Sequence, residues 1–117
     1  MTHVASHSAA RLTGEDAVLI AQAMSALATP SRVLILAALR ERPRSVSELV
    51  ADVAMEQSAV SHQLRLLRGI GLIVGERHGR RIIYSLYDDH VASLIDQAVG
   101  HVEHLRLGLR THPPPPS

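Results

Sequence analysis

The segment from Ser45 to Arg81 leaves this chain few folds to choose from. Ser45-Val-Ser-Glu48 has the pattern of a capping box, in which the serine hydroxyl takes the N–H three residues on and the glutamate reaches back to the serine N–H. It opens a short helix through Leu49, Val50 and Val53, and a turn near Val53-Ala-Met55 follows. Glu56 to Arg68 then has helical spacing, with Val60, Leu64 and Leu67 on one face and Gly69 or Gly71 to close it. Short helix, tight turn and second helix is the helix-turn-helix plan. Gln57, Ser58, Ser61, His62 and Arg65 lie largely on the other face, and with Gln63 they are the candidates for DNA contact. Hydroxyl, amide, imidazole and guanidinium groups are types that reach base edges or phosphates in a major groove. A merely solvated helix face is the competing reading of this segment alone. Leu72-Ile-Val74 and Ile82 to Leu86 are β-rich, and Gly75-Glu-Arg-His-Gly-Arg-Arg81 between them predicts a hairpin turning at His78-Gly79. Arg77, Arg80 and Arg81 lie near its tip. A basic hairpin directly after a helix-turn-helix is a wing, placed for backbone phosphate or the minor groove. The expected fold is therefore mainly α with a β-hairpin, a winged helix-turn-helix.

The flanking segments complete this plan. Residues 1–12 have no clear period and read as a mobile arm containing His3 and His7. Thr13 begins a helix with acids in its first turn, and Val18, Leu19, Gln22, Ala23, Ala26 and Leu27 form its stripe. Thr29 as N-cap and Pro30 at the first helical position start a second helix. It is apolar without interruption from Val33 to Leu39, so it should be buried on most sides, and Pro43 stops it. Residues 13–108 form the DNA-binding and dimerisation domain in this reading. Residues 109–117, with prolines 113–116, form a flexible tail containing His112.

The last helix holds the donors for a metal. Asp88 and His90 precede a proline-free run, and His101 and His104 follow it. These oxygen and imidazole groups bind borderline divalent ions. His90 and His101 are eleven residues apart, three helical turns, so they share a side but stand roughly 16 Å apart along the axis. One ion needs its donors at about 2 Å, so one copy of the helix cannot supply all four. An antiparallel second copy sets Asp88 and His90 of one chain beside His101 and His104 of the other, twice, by two-fold symmetry. The spacing thus predicts a homodimer with two intersubunit sites. Four polar groups on an exposed helix is the competing reading. Val91, Leu94, Ile95, Ala98, Val99 and Val102 give the same helix an apolar face to pack against a partner, and Leu105 to Gly108 should fray it.

Charge follows the same division. The formal net charge is +1, but residues 56–81 hold five arginines against two glutamates and residues 82–117 two arginines against four acids. A basic middle and an acidic end suit an anionic polymer on one surface and a cation on the other. There is no cysteine, which removes thiolate metal sites and redox switching. Tyr84 and Tyr87 are the only aromatic residues, too few for a platform that stacks single-stranded bases. No apolar run approaches a membrane span and no secretory pattern opens the chain, so no membrane partner is expected and a cytoplasmic location is.

Ala28-Thr-Pro-Ser-Arg32, Gln57-Ser-Ala-Val-Ser-His-Gln-Leu-Arg65, Gly79-Arg80 and Tyr84-Ser-Leu-Tyr-Asp88 resemble the ArsR/SmtB metal-sensing repressors over roughly residues 13–108. The Asp-x-His-x10-His-x2-His pattern is similar to the last-helix site of the zinc-, cobalt- and nickel-responsive branch. The resemblance implies a homodimeric repressor that occupies double-stranded operator DNA and leaves when metal binds. It implies Asp88 and His90 with the partner's His101 and His104 as ligands. It places Gln57, Ser58, Ser61 and His62 at the DNA and Arg77, Arg80 and Arg81 on the wing. The family's other common site uses cysteines before the recognition helix, so thiolate sensing of arsenic, lead or cadmium is not expected. Nickel or cobalt is the implied effector, with extra donors from the arm or tail: His3, His7 and His112. Arg106 departs from that pattern, standing where a further tail histidine belongs. Four ligands alone would suit tetrahedral zinc.

Two other functions share these residues. One is a winged-helix regulator with a non-metal inducer, or with a purely structural zinc. The other is a metallohydrolase, but Glu103 sits between His101 and His104 on a helix and is turned away from both, leaving no general base. The chain is therefore read as a regulator and not an enzyme.

Overall fold

The structure, a computed structural model, describes residues 11–111. Its elements run α1 (Gly14–Ala26), α2 (Pro30–Glu41), β1 (Arg44–Ser45), α3 (Val46–Val53), α4 (Gln57–Ile70), β2 (Ile73–His78), β3 (Arg81–Leu86) and α5 (Asp89–Thr111). The mainly α winged helix-turn-helix is the observed architecture. Among the described residues no single helix is long and apolar enough to cross a membrane.

Local chemistry explains most boundaries. Thr13 and Asp16 form a full capping box on α1, with bonds of 3.0 and 3.1 Å. Thr29 is the N-cap of α2 as expected, but its hydroxyl makes no capping bond. Its carbonyl instead accepts from the N–H groups of Arg32 and Val33, and Pro30 brings no N–H to satisfy. Ser45 and Glu48 form the expected box on α3. Ala54 ends α3 in the left-handed region at φ 54°. Gly71, at φ 87°, ends α4. The Leu72 N–H then reaches back to the Leu67 carbonyl at 3.0 Å.

The core joins α2, α3, α4 and the near end of α5. Ile35, Leu36, Leu49, Val60, Leu64, Leu67 and Ile73 are its most enclosed large side chains, and Val91 and Ile95 dock α5 onto it. The expected burial of α2 holds for Ile35, Leu36, Ala38 and Leu39, while Leu34 is exposed. On α1 the apolar stripe is buried only at its C-terminal end, at Ala26, with Ala23 and Leu27 packed alongside. Val18, Leu19 and Met24 stand in the open.

The sheet is antiparallel in the order β1-β3-β2. The hairpin is tighter than expected, because β2 continues to His78, paired with Arg81, and the turn is Gly79-Arg80. Gly79 at φ 66° supplies the positive φ that a two-residue hairpin turn needs. Tyr84 lies opposite Gly75, and a β-carbon on Gly75 would come within 3.0 Å of both Tyr84 and Ile82. The ring thus occupies space that only glycine leaves free. β1 is a strand the sequence did not announce, pairing Arg44 with Tyr84 and Ser45 with Ile83.

Candidate nucleic-acid interface and metal donors

The core pattern of α4 decides which of its side chains face solvent. Val60, Leu64 and Leu67 are buried, which turns Ser58, His62 and Arg65 outward, all exposed, with Gln57 exposed at the first turn and Ser61 half-buried on the rim. Gln63 belongs to the flank instead. It is half-buried, and its amide oxygen accepts from Arg32 Nε at 2.8 Å, a bond between α4 and α2. Gln63, expected among the DNA-facing side chains, thus braces α4 against α2.

The three wing arginines are not equivalent. Arg80 lies in the exposed turn. Arg77 is exposed on β2 and donates to the Gly79 carbonyl at 3.4 Å, across the turn. Arg81, itself exposed, turns toward the start of α3, donating to Ser45 Oγ at 2.9 Å and lying 3.4 Å from Glu48 Oε1. His78 bonds Glu76 at 2.8 Å on the exposed hairpin.

On α5 the donors occupy two places. Asp88 caps the helix: its Oδ1 accepts from the N–H groups of His90 at 3.0 Å and Val91 at 3.2 Å. Its Oδ2 lies 3.3 Å from His90 Nδ1. Burial opposes ionisation of Asp88, but the Val91 and His90 N–H groups and the His90 ring outweigh it and hold the carboxyl below the usual carboxylate range. His90 is almost fully exposed, and His101 and His104 are exposed three turns further on. Among the described residues no three histidine or carboxylate side chains of one chain gather around a common point. His3, His7 and His112 lie outside the described residues.

Between the two donor pairs, Asp96 makes a two-pronged bond to Arg40 of α2, with both distances 2.9 Å. Below the donors, Val99, Val102, Leu105 and Leu107 are between 45% and 59% exposed. The wing and the outward face of α4 thus carry exposed polar and basic side chains, and the far half of α5 carries exposed histidines beside half-exposed valines.

Residues 29–74, the stretch holding α2 to the start of β2, match the profile described as "Bacterial regulatory protein, arsR family". The chain is 55% identical over 105 residues to the HTH-type transcriptional regulator NmtR of Mycobacterium tuberculosis, covering 90% of this chain and 88% of that one. The chain belongs to the ArsR family. A further relative is the transcriptional repressor SmtB homolog of Synechocystis, 40% identical over 76% of this chain and 67% of its own length. The solution structure of apo-NmtR superposes with a TM-score of 0.70 at 51% identity, covering 97% of this chain and 96% of that one. A homodimeric winged helix-turn-helix DNA-binding domain from Mycobacterium bovis, described as a possible ArsR-family regulator, superposes at 0.73 with 27% identity, over 90% and 99% of the two chains. The chain is thus a winged helix-turn-helix transcriptional regulator of the ArsR family.

As a donor set for metal, the residues of this ArsR-family chain fit a divalent ion in chemistry: one ionised carboxylate and three imidazoles, all reachable from solvent. Within one chain Asp88 and His90 stand apart from His101 and His104.

Proposed function

We propose that the chain is a homodimeric, metal-responsive repressor that binds operator DNA and is released when nickel or cobalt, with zinc as the alternative, binds between subunits. The observation that carries the reading is the layout of α5. One donor pair, Asp88 and His90, stands at its start and the other, His101 and His104, about three turns on, beside Val99 and Val102, which its own chain leaves about half exposed. A second copy laid antiparallel meets both requirements at once. The exposed Val18, Leu19 and Met24 of α1 extend the surface it would cover. The homodimeric relative, and the resemblance to the nickel-, cobalt- and zinc-responsive branch, support the same assembly.

Each residue has a defined part. Ser58, Ser61, His62 and Arg65 of α4 read the major groove from each half-site, with Gln57 at the helix start. Arg77 and Arg80 meet phosphate beside it. Asp88 and His90 of one subunit, and His101 and His104 of the other, hold the ion. When bound, the ion supplies a cross-link between the two α5 helices. Because α5 docks on the DNA-binding head through Val91, Ile95 and the Asp96–Arg40 pair, fixing the helix pair fixes the spacing of the recognition helices. A spacing that no longer matches successive major grooves lowers operator affinity. His3, His7 and His112 are the donors available for a larger coordination number.

The test is operator binding at fixed salt with and without nickel, cobalt and zinc. Affinity should fall with at least one of them, and undiminished affinity with all three rejects the sensor reading. Cobalt absorption then separates four ligands, with intense tetrahedral bands, from six, with weak octahedral ones. The non-metal alternative rests on one feature, an open groove of about 470 Å³ between α1 and the end of α4, lined by Val18, Ala21, Gln22, Ser25, Gly69 and Ile70. A His101→Ala/His104→Ala variant that still answers its inducer would favour it.

A further inference from the structure

We propose that Arg81 is a positioning residue of the DNA-binding surface: with Glu48 and Ser45 it locks the wing to the first helix of the helix-turn-helix and makes no phosphate contact of its own. The inference rests on the proposed binding of duplex DNA by α4 and the wing.

Register places the three groups together. Ser45 pairs with Ile83, and Arg81 is two residues before Ile83 on the same strand. Side chains two apart on a strand share a face, so Arg81 lies diagonally across from Ser45. Its guanidinium reaches Ser45 Oγ at 2.9 Å, and Ser45 is itself buried. Ser45 is the N-cap of α3, and its hydroxyl also takes the Glu48 N–H. Glu48 Oε1 returns the capping bond to the Ser45 N–H at 2.9 Å and faces Arg81 at 3.4 Å, while its Oε2 faces Arg42 at 3.7 Å. The Ser45 N–H, with Arg81 and Arg42, outweighs burial and holds the Glu48 carboxyl below the usual carboxylate range. One carboxylate thus caps the helix and pairs the wing. Arg44, the neighbouring strand residue, is buried and bound to Glu41 and Asp52, so β1 is fixed to the helices from its other face.

This arrangement matters because a wing works only at a set distance from its recognition helix. Arg81, the first residue after the turn, ties the tip end of the hairpin to the helix-turn-helix, and its positive charge is already answered by Glu48. Arg80, one residue earlier in the open turn, is the contrasting case.

The two roles differ in salt dependence. An arginine on a phosphate releases counterion, so its loss lowers the slope of log K against log salt by about 0.9. A positioning residue lowers affinity with the slope intact. The probe is a duplex enriched from a random pool by the wild-type chain, titrated over a range of salt with Arg81→Gln, Glu48→Gln, the double variant and Arg80→Gln. Glutamine keeps the capping box at Glu48 while removing the charge that Arg81 answers. Arg81→Gln and Glu48→Gln are each expected to weaken binding roughly two- to five-fold, the scale of one exposed ion pair. The slope should stay at the wild-type value, and the double variant should bind no worse than the weaker single one. Arg80→Gln should reduce the slope. The proposal is overturned if Arg81→Gln reduces the slope as Arg80→Gln does. It is also overturned if Glu48→Gln leaves binding unchanged or tightens it, as removing an acid beside a phosphate contact would. A wild-type chain that enriches no duplex overturns the DNA reading with it.

Discussion

Two single positions carry opposite mismatches between residue and backbone. Ala54 takes a left-handed conformation, φ 54°, to close α3 in the turn of the helix-turn-helix. The β-carbon makes that region costly by about 1 kcal/mol, and glycine would relieve it. Ala54→Gly should therefore stabilise the protein by up to about 1 kcal/mol, less the entropy that glycine adds to the unfolded chain, measured by urea denaturation at fixed protein concentration. Gly75 is the converse. Its β-carbon would meet Tyr84 Cε1 and Ile82 Cγ2 at 3.0 Å each. Gly75→Ala should cost about 1–2 kcal/mol in the same assay, because the ring must shift within a packed sheet; an unchanged midpoint would mean the wing repacks freely. At this scale the sequence shows residue type but not partner. Gln63 and Arg81 were readable as polar groups on the DNA side of the molecule. Their partners, Arg32 and Ser45, lie 31 and 36 residues away, and only the folded chain brings them near. By contrast, the Ser45/Glu48 box was legible because both of its halves lie within one helical turn.

Among the elements, α5 shows both the reach and the limit of pattern reading. Its helical run, its apolar positions and the separation of its donors were all readable from helical periodicity. Its end was not: Leu105 to Gly108 read as a fraying terminus, whereas the helix runs on to Thr111. A single glycine costs a helix only about 1 kcal/mol, too little to stop one already propagating. β1 escaped for the opposite reason, since two residues carry no period at all. The tie between α5 and α2 is Asp96 with Arg40, about half exposed on both sides. The Arg40 hydrogen bonds outweigh burial and, helped by its charge, hold the Asp96 carboxyl below the usual range. A carboxyl with a lowered folded-state value stabilises the fold above its unfolded value, and that contribution is lost as pH falls through the folded one. Asp96→Asn should thus be less stable than wild type at neutral pH and indistinguishable from it in strong acid, by denaturation at the two conditions. A difference that persists in acid would mean packing, not charge, joins α5 to α2. The uncovered side of α5 makes a separate prediction. Val102 is 46% exposed, so Val102→Glu should leave the monomer folded while placing a charge in the proposed helix pair. Light scattering should then find a monomer with native circular dichroism, and a variant that stays dimeric would move the interface elsewhere.

The described residues are extended for their number, with a radius of gyration of 17.1 Å against roughly 13 Å for a compact domain of about this length. The excess fits α1 and the far half of α5, where Val18, Leu19, Val99 and Val102 are 45% to 64% exposed. The core of each chain, built on Ile35, Leu36, Leu49, Leu64 and Leu67, is closed without any of the four donors. Metal in the proposed site is accordingly a regulator of geometry and not a condition of folding. That separates it from a structural zinc, whose binding energy is folding energy. Chelation should leave the far-ultraviolet dichroism and the thermal transition of the wild-type protein in place, whereas unfolding on chelation would establish the structural role. The same logic fixes how the two ligands speak to each other. If metal and DNA favour different spacings of the two heads, each must weaken the other by one common factor, typically ~5–150-fold for couplings of ~1–3 kcal/mol. Metal affinity measured with and without saturating operator duplex should shift by the same factor as operator affinity measured with and without saturating metal. Equal shifts close the cycle for one dimer that binds both. A metal affinity untouched by duplex, alongside an operator affinity that metal lowers, would break the cycle and place the metal effect outside the α5 site, in aggregation or in the DNA itself.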